Sequence, residues 1–294
     1  MAAFRHTNIN NQNVPLEIQL SEGIRGFKIP IHLNGNNATV CHGVSEEKKL
    51  VVQDKVCTNR TSIYSRVCSL FLNSVKPCFL DNSRQLLSLF LVRVKTFLVE
   101  NPHEVLTLFM EDYVPFSHLN DSFVASNITS YLHVQPKNEE WPTLGEMIVD
   151  NKRLVVFSNR DVDKNNVTLE NYPFNSERHF VWSTPYDFKS TSDLIKDMPH
   201  NLTAEMAWGN ATEVDNKLWV MQHFVTPLIA GRVMHAVAAN HRYSLQIRHE
   251  RYKRKLQTNA NYIWVDFYQY PRVDGFFEYI KWLNEANNAY ITSK

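Results

Sequence analysis

Residues 83–112 read Ser83-Arg-Gln-Leu-Leu-Ser-Leu-Phe-Leu-Val-Arg-Val-Lys-Thr-Phe-Leu-Val-Glu-Asn-Pro-His-Glu-Val-Leu-Thr-Leu-Phe-Met-Glu-Asp112. Two periods meet in this stretch. Leu86, Leu87, Phe90, Leu91, Val94, Phe97 and Leu98 recur at helical spacing and predict one helix over Ser83–Glu100 with a single apolar face. Asn82 or Ser83 can cap its start, and Asn101-Pro102 ends it, because the residue before proline avoids the helical region. The run Glu104–Met110 is then continuously apolar, which predicts a strand buried on both faces, closed by Glu111-Asp112-Tyr113.

The same alternation extends in both directions. Ile24–Leu33 reads as a strand between Gly23 and the turn cluster Asn34-Gly-Asn-Asn37, and Ala38–His42 as a short strand after it. Thr143–Asp150 is a short helix with Thr143 and Glu146 in capping-box spacing. Arg153–Ser158 and Asn261–Tyr268 are further buried strands, and Gly275–Asn288 is a terminal helix. Buried strands alternating with helices indicate a parallel sheet covered on both faces. No linker divides the 294 residues and no internal repeat is present, so the expectation is one α/β domain over 1–294, a barrel on grounds of length. The four best strands are expected to be neighbours in one closed or nearly closed sheet.

Composition narrows the function classes. The hydrophobic fraction is 44% and the charged fraction 21%, so disorder and low complexity are excluded. A net charge of +1 gives no global grip on nucleic acid. No apolar run approaches the roughly 18 residues of a membrane span. The start, Met1-Ala-Ala-Phe-Arg-His6, lacks the apolar segment of a signal peptide. Against this stand four cysteines, Cys41, Cys57, Cys68 and Cys78, and seven Asn-x-Ser/Thr triplets, at Asn37, Asn59, Asn120, Asn127, Asn166, Asn201 and Asn210. The cysteines lack the Cys-x-x-Cys spacing of a zinc site. A lumenal or secreted glycoprotein with one or two disulfides is expected if a signal segment precedes Met1, and a cytoplasmic protein otherwise.

In parallel barrels chemistry sits at the C-terminal strand ends, which directs attention to Lys28–His32, His42-Gly43, Glu111-Asp112, Ser158-Asn-Arg160 and Asp266–Tyr268. Several phrases carrying these residues resemble the phosphatidylinositol-specific phospholipase C X-domain phosphodiesterases. They are Gly23-Ile-Arg-Gly26, Cys41-His-Gly43, Lys95–Val105, Glu111-Asp-Tyr-Val114, Trp141–Glu146, Lys152–Phe157 and Val265-Asp-Phe-Tyr268, in the family's order, over residues 16–285. The resemblance is greatest to the secreted-type members. It implies a distorted (βα)8 TIM-type barrel, an inositol phospholipid or similar lipid phosphodiester as substrate, and cleavage by internal attack of the inositol 2-hydroxyl on phosphorus.

What the resemblance implies for individual residues is uneven. His42 matches the family's second histidine, Glu111 its later-strand metal carboxylate and Arg25 its strand-two arginine. The two acidic metal positions are here Lys28 and Pro30, and the family's opening histidine and asparagine have no match near Met1. No cofactor is therefore expected, because Glu111 alone cannot supply the several oxygens that calcium requires. Lys28 is the candidate for the positive charge. Strand period puts Lys28, Pro30 and His32 on one face, so His32 is the best internal substitute for the missing base, with His6 second. Catalytic candidates are thus His42, His32, Lys28, Arg25 and Glu111; His42, Lys28, Arg25 and Glu111 are expected to converge, with Glu111 paired to Lys28 or Arg25. Substrate-binding candidates are Arg25, Lys28, Asp266 and Tyr268, with Asp266 alternatively orienting a histidine or forming an ion pair. The expected activity is calcium-independent and weak, and the competing expectation is a pseudoenzyme that binds a phosphate-bearing ligand or protein. The basic run Arg248–Lys255 reads as a solvated helix face or as attraction to an anionic membrane surface.

Overall fold

The computed structural model describes residues 11–41, 85–159, 173–198, 217–226 and 233–292. The chain divides into two compact units, residues 2–176 and residues 177–294.

In the first unit, α1 (Leu16–Ser21) leads into β1 (Gly26–Asn34), which turns back as β2 (Asn37–Val40). Gly35 takes φ +57° in that turn, a conformation costly for a residue with a Cβ. β3 (Gln85–Leu86) pairs antiparallel with β2 and runs straight into α2 (Leu87–Glu100). The helix therefore begins at Leu87 and not at Ser83: the backbone of Gln85 and Leu86 is spent on the sheet edge beside Thr39 and Val40. Then follow β4 (Leu106–Asp112), α3 (Phe116–Ala125), β5 (Leu132–His133), α4 (Leu144–Val149), β6 (Leu154–Ser158) and β7 (Asn175–Ser176). The expected capping box opens α4: Glu146 N–H donates to Thr143 Oγ1 and Thr143 N–H to Glu146 Oε2.

These strands form one sheet in the order β3-β2-β1-β4-β6-β5, with β7 also against β6. β1, β4 and β6 run parallel, in the register Phe27↔Leu108 and Leu108↔Val156. Alternation then sorts the side chains. Phe27, Ile29, Ile31, Leu106, Leu108, Met110, Leu154 and Val156 are fully buried in one cluster with Phe90, Leu91, Val94 and Leu98 of α2. Arg153, 4% exposed, fastens the helix end to the sheet by donating to the carbonyls of Leu98 in the last turn of α2 and of Asn101 and Glu104 just beyond it.

The second unit holds α5 (Glu177–Phe180), β8 (Val181–Ser183), α6 (Thr191–Lys196), β9 (Leu218–Gln222), α7 (Val233–Ala239), α8 (Arg242–Leu256), β10 (Tyr262–Trp264) and α9 (Phe276–Thr292). Its parallel sheet runs β10-β9-β8. The strand expected over Asn261–Tyr268 is thus shorter, and among the described residues its sheet partner is β9 and not β1, β4 or β6. It stops at Trp264, and three residues further on Phe267 turns to φ +48°. The stacked rings of Trp182 and Trp219, 5.2 Å apart, fill the space between sheet and helix, with His249 and Tyr252 of α8 against Trp219. Arg248, fully buried on α8, makes a two-nitrogen contact with Asp197 Oδ2, which also accepts from Tyr252 Oη. Arg251 turns to the carbonyls of Ile195 and Asp197. The basic run is therefore not one solvated face: two of its arginines point inward, and Arg254 and Lys255 are exposed. No helix among the described residues is long and apolar enough to cross a membrane.

Candidate active site

The sheet face turned away from α2 carries the unusual residues. Lys28 lies beside Phe109 and Pro30 beside Glu111 in the β1–β4 register, so Lys28, Pro30, Phe109 and Glu111 share that face. Lys28 Nζ is 2.9 Å from Glu111 Oε1, with side chains 17% and 29% exposed. One pleat further on, the His32 ring stacks on Tyr113, centroids 4.8 Å apart and planes 18° from parallel. His32 is 7% exposed and Tyr113 covers it. Towards the other edge the face is aromatic, with Phe109 stacked on Phe157 and Phe157 in turn against Trp141.

The structure thus joins Lys28 to Glu111 and sets His32 on the same face. Asp112, on the opposite parity, turns towards the helix side, where its carboxylate accepts from Val114 N–H and the Ser158 hydroxyl. Asn159 Oδ1 accepts the Asp112 N–H and ties the ends of β4 and β6 together. Cys41 N–H donates to Pro30 carbonyl. His42, Cys57, Cys68 and Cys78 lie outside the described residues, as does His6.

Arg25 is not brought to this face. It precedes β1 at the N-terminal end and shares parity with Phe27 and Ile29, so it turns towards α2. Its guanidinium sits over the Phe97 ring, donates from two nitrogens to the two Glu104 oxygens at 2.7 and 2.8 Å, and caps the Leu20 carbonyl. The hydrogen bonds from Arg25, with its charge, hold the Glu104 carboxyl below the usual carboxylate range.

Asp266 and Tyr268 belong to the second unit. Asp266, 4% exposed, follows β10 and lines a narrow cleft with Phe224, His235 and Asn240, and its carbonyl accepts from Asn240 Nδ2. Tyr268, 2% exposed, packs edge-on to Phe277 and does not face solvent. Among the described residues no group of three or more His, Cys, Asp or Glu side chains could hold a metal ion.

Tyr113 is the residue sequence reasoning passed over. Its signal was available: positions 109, 111 and 113 share one face, and 113 lies one pleat beyond Glu111 as His32 lies one beyond Pro30.

Known structures share this architecture. The phosphatidylinositol-specific phospholipase C of Listeria monocytogenes superposes with a TM-score of 0.53 at 17% identity, over 87% of this chain and 78% of that one. The phosphatidylinositol-specific phospholipase C of Staphylococcus aureus gives 0.51 at 12% identity, over 92% and 83%. The fold is therefore the mixed α/β fold of that enzyme. The family model PI-PLC X 1 matches residues 72–274, and the chain belongs to the PI-PLC X family. Glu111 and Asp266 fall inside the matched span, and Lys28 and His32 precede it. No curated protein sequence matches.

Proposed function

We propose that this protein acts on an inositol phospholipid phosphodiester, with Lys28 rather than a calcium ion meeting the charge at phosphorus. The observation that carries this is the Lys28–Glu111 pair on the sheet face opposite the core. Among the described residues the lining does not fit calcium. That ion takes six to eight oxygens, whereas Glu111 is engaged by an ammonium at 2.9 Å.

In the proposed reaction a base takes the proton of the inositol 2-hydroxyl. The resulting oxygen attacks phosphorus, and the bond to the diacylglycerol oxygen breaks as that oxygen gains a proton. Charge grows on the non-bridging oxygens, where a fixed ammonium lowers the barrier. Glu111 holds the ammonium in place between turnovers. His42 is assigned the leaving-group side by its match to the family, and His32 is the base candidate on the Lys28 face. Arg25, held by Glu104 on the other side of the sheet, has no part in this scheme.

One observation favours a second reading. His32 is 7% exposed beneath Tyr113, and a base must come within about 2.6–3.2 Å of the hydroxyl it deprotonates, or act through one water. A site with a held cation and a covered histidine binds a phosphate-bearing ligand without splitting it.

Export is also part of the proposal. A disulfide at Cys41 belongs to the same proposal and to an oxidising compartment, and the substrate places the protein at a membrane surface that Arg254 and Lys255 can approach.

The test is release of inositol phosphate from phosphatidylinositol vesicles, with and without chelator, by the intact protein, Lys28→Met, His42→Ala and His32→Ala. We expect weak turnover that chelator leaves unchanged and that Lys28→Met reduces by about 100-fold, the scale of losing one electrostatic donor. Turnover abolished by chelator overturns the calcium-free reading. Turnover unchanged in both Lys28→Met and His42→Ala overturns the mechanism. Phosphate binding without turnover selects the second reading.

A further inference from the structure

Three Asn-x-Ser/Thr triplets lie within the described residues, and the fold presents them differently. Asn120 is half-buried inside α3, and the Ser122 hydroxyl, 9% exposed, donates to the His118 carbonyl. Asn37 is exposed, but Thr39 is 2% exposed and paired on both sides, with His32 and Leu86. The triplet Asn127-Ile128-Thr129 is presented otherwise. Asn127 and Thr129 are exposed, whereas Ile128 is 0% exposed within the core cluster of the first unit. The middle residue anchors the triplet and leaves both flanking side chains in solvent. Asn127 takes φ +51° just past the end of α3, and its N–H donates to the Val124 carbonyl.

We propose that Asn127 is a site of N-linked glycosylation. The inference rests on the export reading above. Asn127 Nδ2 forms a bond to C1 of the first sugar of a lipid-pyrophosphate-linked oligosaccharide. The C1–O bond to pyrophosphate breaks, the amide gives up one proton, and the lipid pyrophosphate leaves. Thr129, two residues on, completes the acceptor triplet. A glycan is large and hydrophilic, so only an asparagine with open solvent above it can carry one in the folded protein.

A purely structural role for Asn127 would be termination of α3 in the left-handed region. Glycine serves there at least as well, and that role asks nothing of Thr129. The two roles therefore separate experimentally. The full chain behind an appended secretion signal is expressed in a eukaryotic cell as the parent, Asn127→Gly and Thr129→Ala. Glycans are released enzymatically in heavy-oxygen water, and each peptide is read by mass spectrometry for the conversion of asparagine to aspartate. We expect the tag at Asn127 in the parent and its loss in both variants, each lighter by one glycan, with Asn127→Gly unfolding no earlier than the enzymatically deglycosylated parent. An untagged Asn127 in secreted parent overturns the site, whether or not other triplets are tagged. The appended signal forces exposure to the modifying machinery, so this outcome does not depend on natural export. The oxidation state of Cys41 in protein from its native host reports on export separately.

Discussion

Lys28 Nζ reaches Glu111 Oε1 at 2.9 Å across two adjacent parallel strands, although the register sets Lys28 beside Phe109 and Glu111 beside Pro30. The contact is a diagonal one on a single face, and both side chains are largely shielded from water. Removing one partner leaves the other charge poorly solvated; removing both does not. Lys28→Met and Glu111→Gln should each lower unfolding free energy by roughly 1–2 kcal/mol, and the double variant by less than their sum. Denaturant titrations of the four proteins measure the coupling; strict additivity would show that the pair does not hold the face together.

Arg25→Gln should behave differently. The Arg25 and Glu104 side chains are 30% and 38% exposed, so solvent screening limits the cost to about 1 kcal/mol or less. Phosphate binding and turnover should be unaffected, since the guanidinium lies on the helix side of the sheet. Steady-state kinetics beside a thermal melt checks both; a selective loss of turnover would put Arg25 back in the site.

The second unit depends on Arg248. Its side chain is fully buried and Asp197 is 10% exposed, so Arg248→Met strands a carboxylate. The loss should be about 3–5 kcal/mol, and Arg248→Met with Asp197→Asn should recover part of it. Amide hydrogen exchange resolved over 177–294 is the measurement, and unaltered protection there would contradict the assignment.

Acid should weaken the same unit in a defined window. Burial, with the Arg248 charge, lowers His223 to about 3, and burial, with the Lys253 charge, lowers His249 to about 4. Both folded values lie below the unfolded value of 6.5. Their stabilisation is therefore complete above pH 6.5 and is lost as pH falls towards 4 and then 3, on the order of 5 kcal/mol for His223 and 3 kcal/mol for His249. His249 accepts from Ala260 N–H at Nε2 and meets Tyr279 Oη at Nδ1, so the neutral ring fits and a second proton has no acceptor at Nε2. Glu104 acts in a different window, because its lowered value withdraws stability only below pH 4.5. Urea midpoints from pH 7 to 4 should fall in the parent and fall less steeply in His249→Phe, which keeps the His223 contribution and is itself less stable at pH 7. A flat parent profile would refute the assignment.

Much of the first unit was legible along the chain. The helix ending at Glu100, the capping box of α4 and the strands β1, β4 and β6 follow from local signals: apolar period, proline and a four-residue hydrogen-bond motif. That Glu111 pairs with a cation of the first strand was legible too, as Lys28 or Arg25, and the structure selects Lys28. Arg25 falls on the other face by the same parity rule: residue 25 is odd with Phe27 and Ile29, and a motif match carries no record of which face a side chain takes.

The amino-acid sequence alone determined the cores of β1, α2, β4, α4 and β6, and which of their side chains share a face, since these depend on backbone sterics and burial within a few residues. Which strand lies beside which was decided only by tertiary structure. β10 lies against β9, with Tyr262 opposite Val220, and Lys28 lies diagonal to Glu111, 83 positions further along the chain. Such pairings repay loop-closure entropy only once the whole sheet has formed. The stacking of Tyr113 over His32 and the burial of Arg248 belong to that second class. Each depends on what packs above the side chain, and no local period records it.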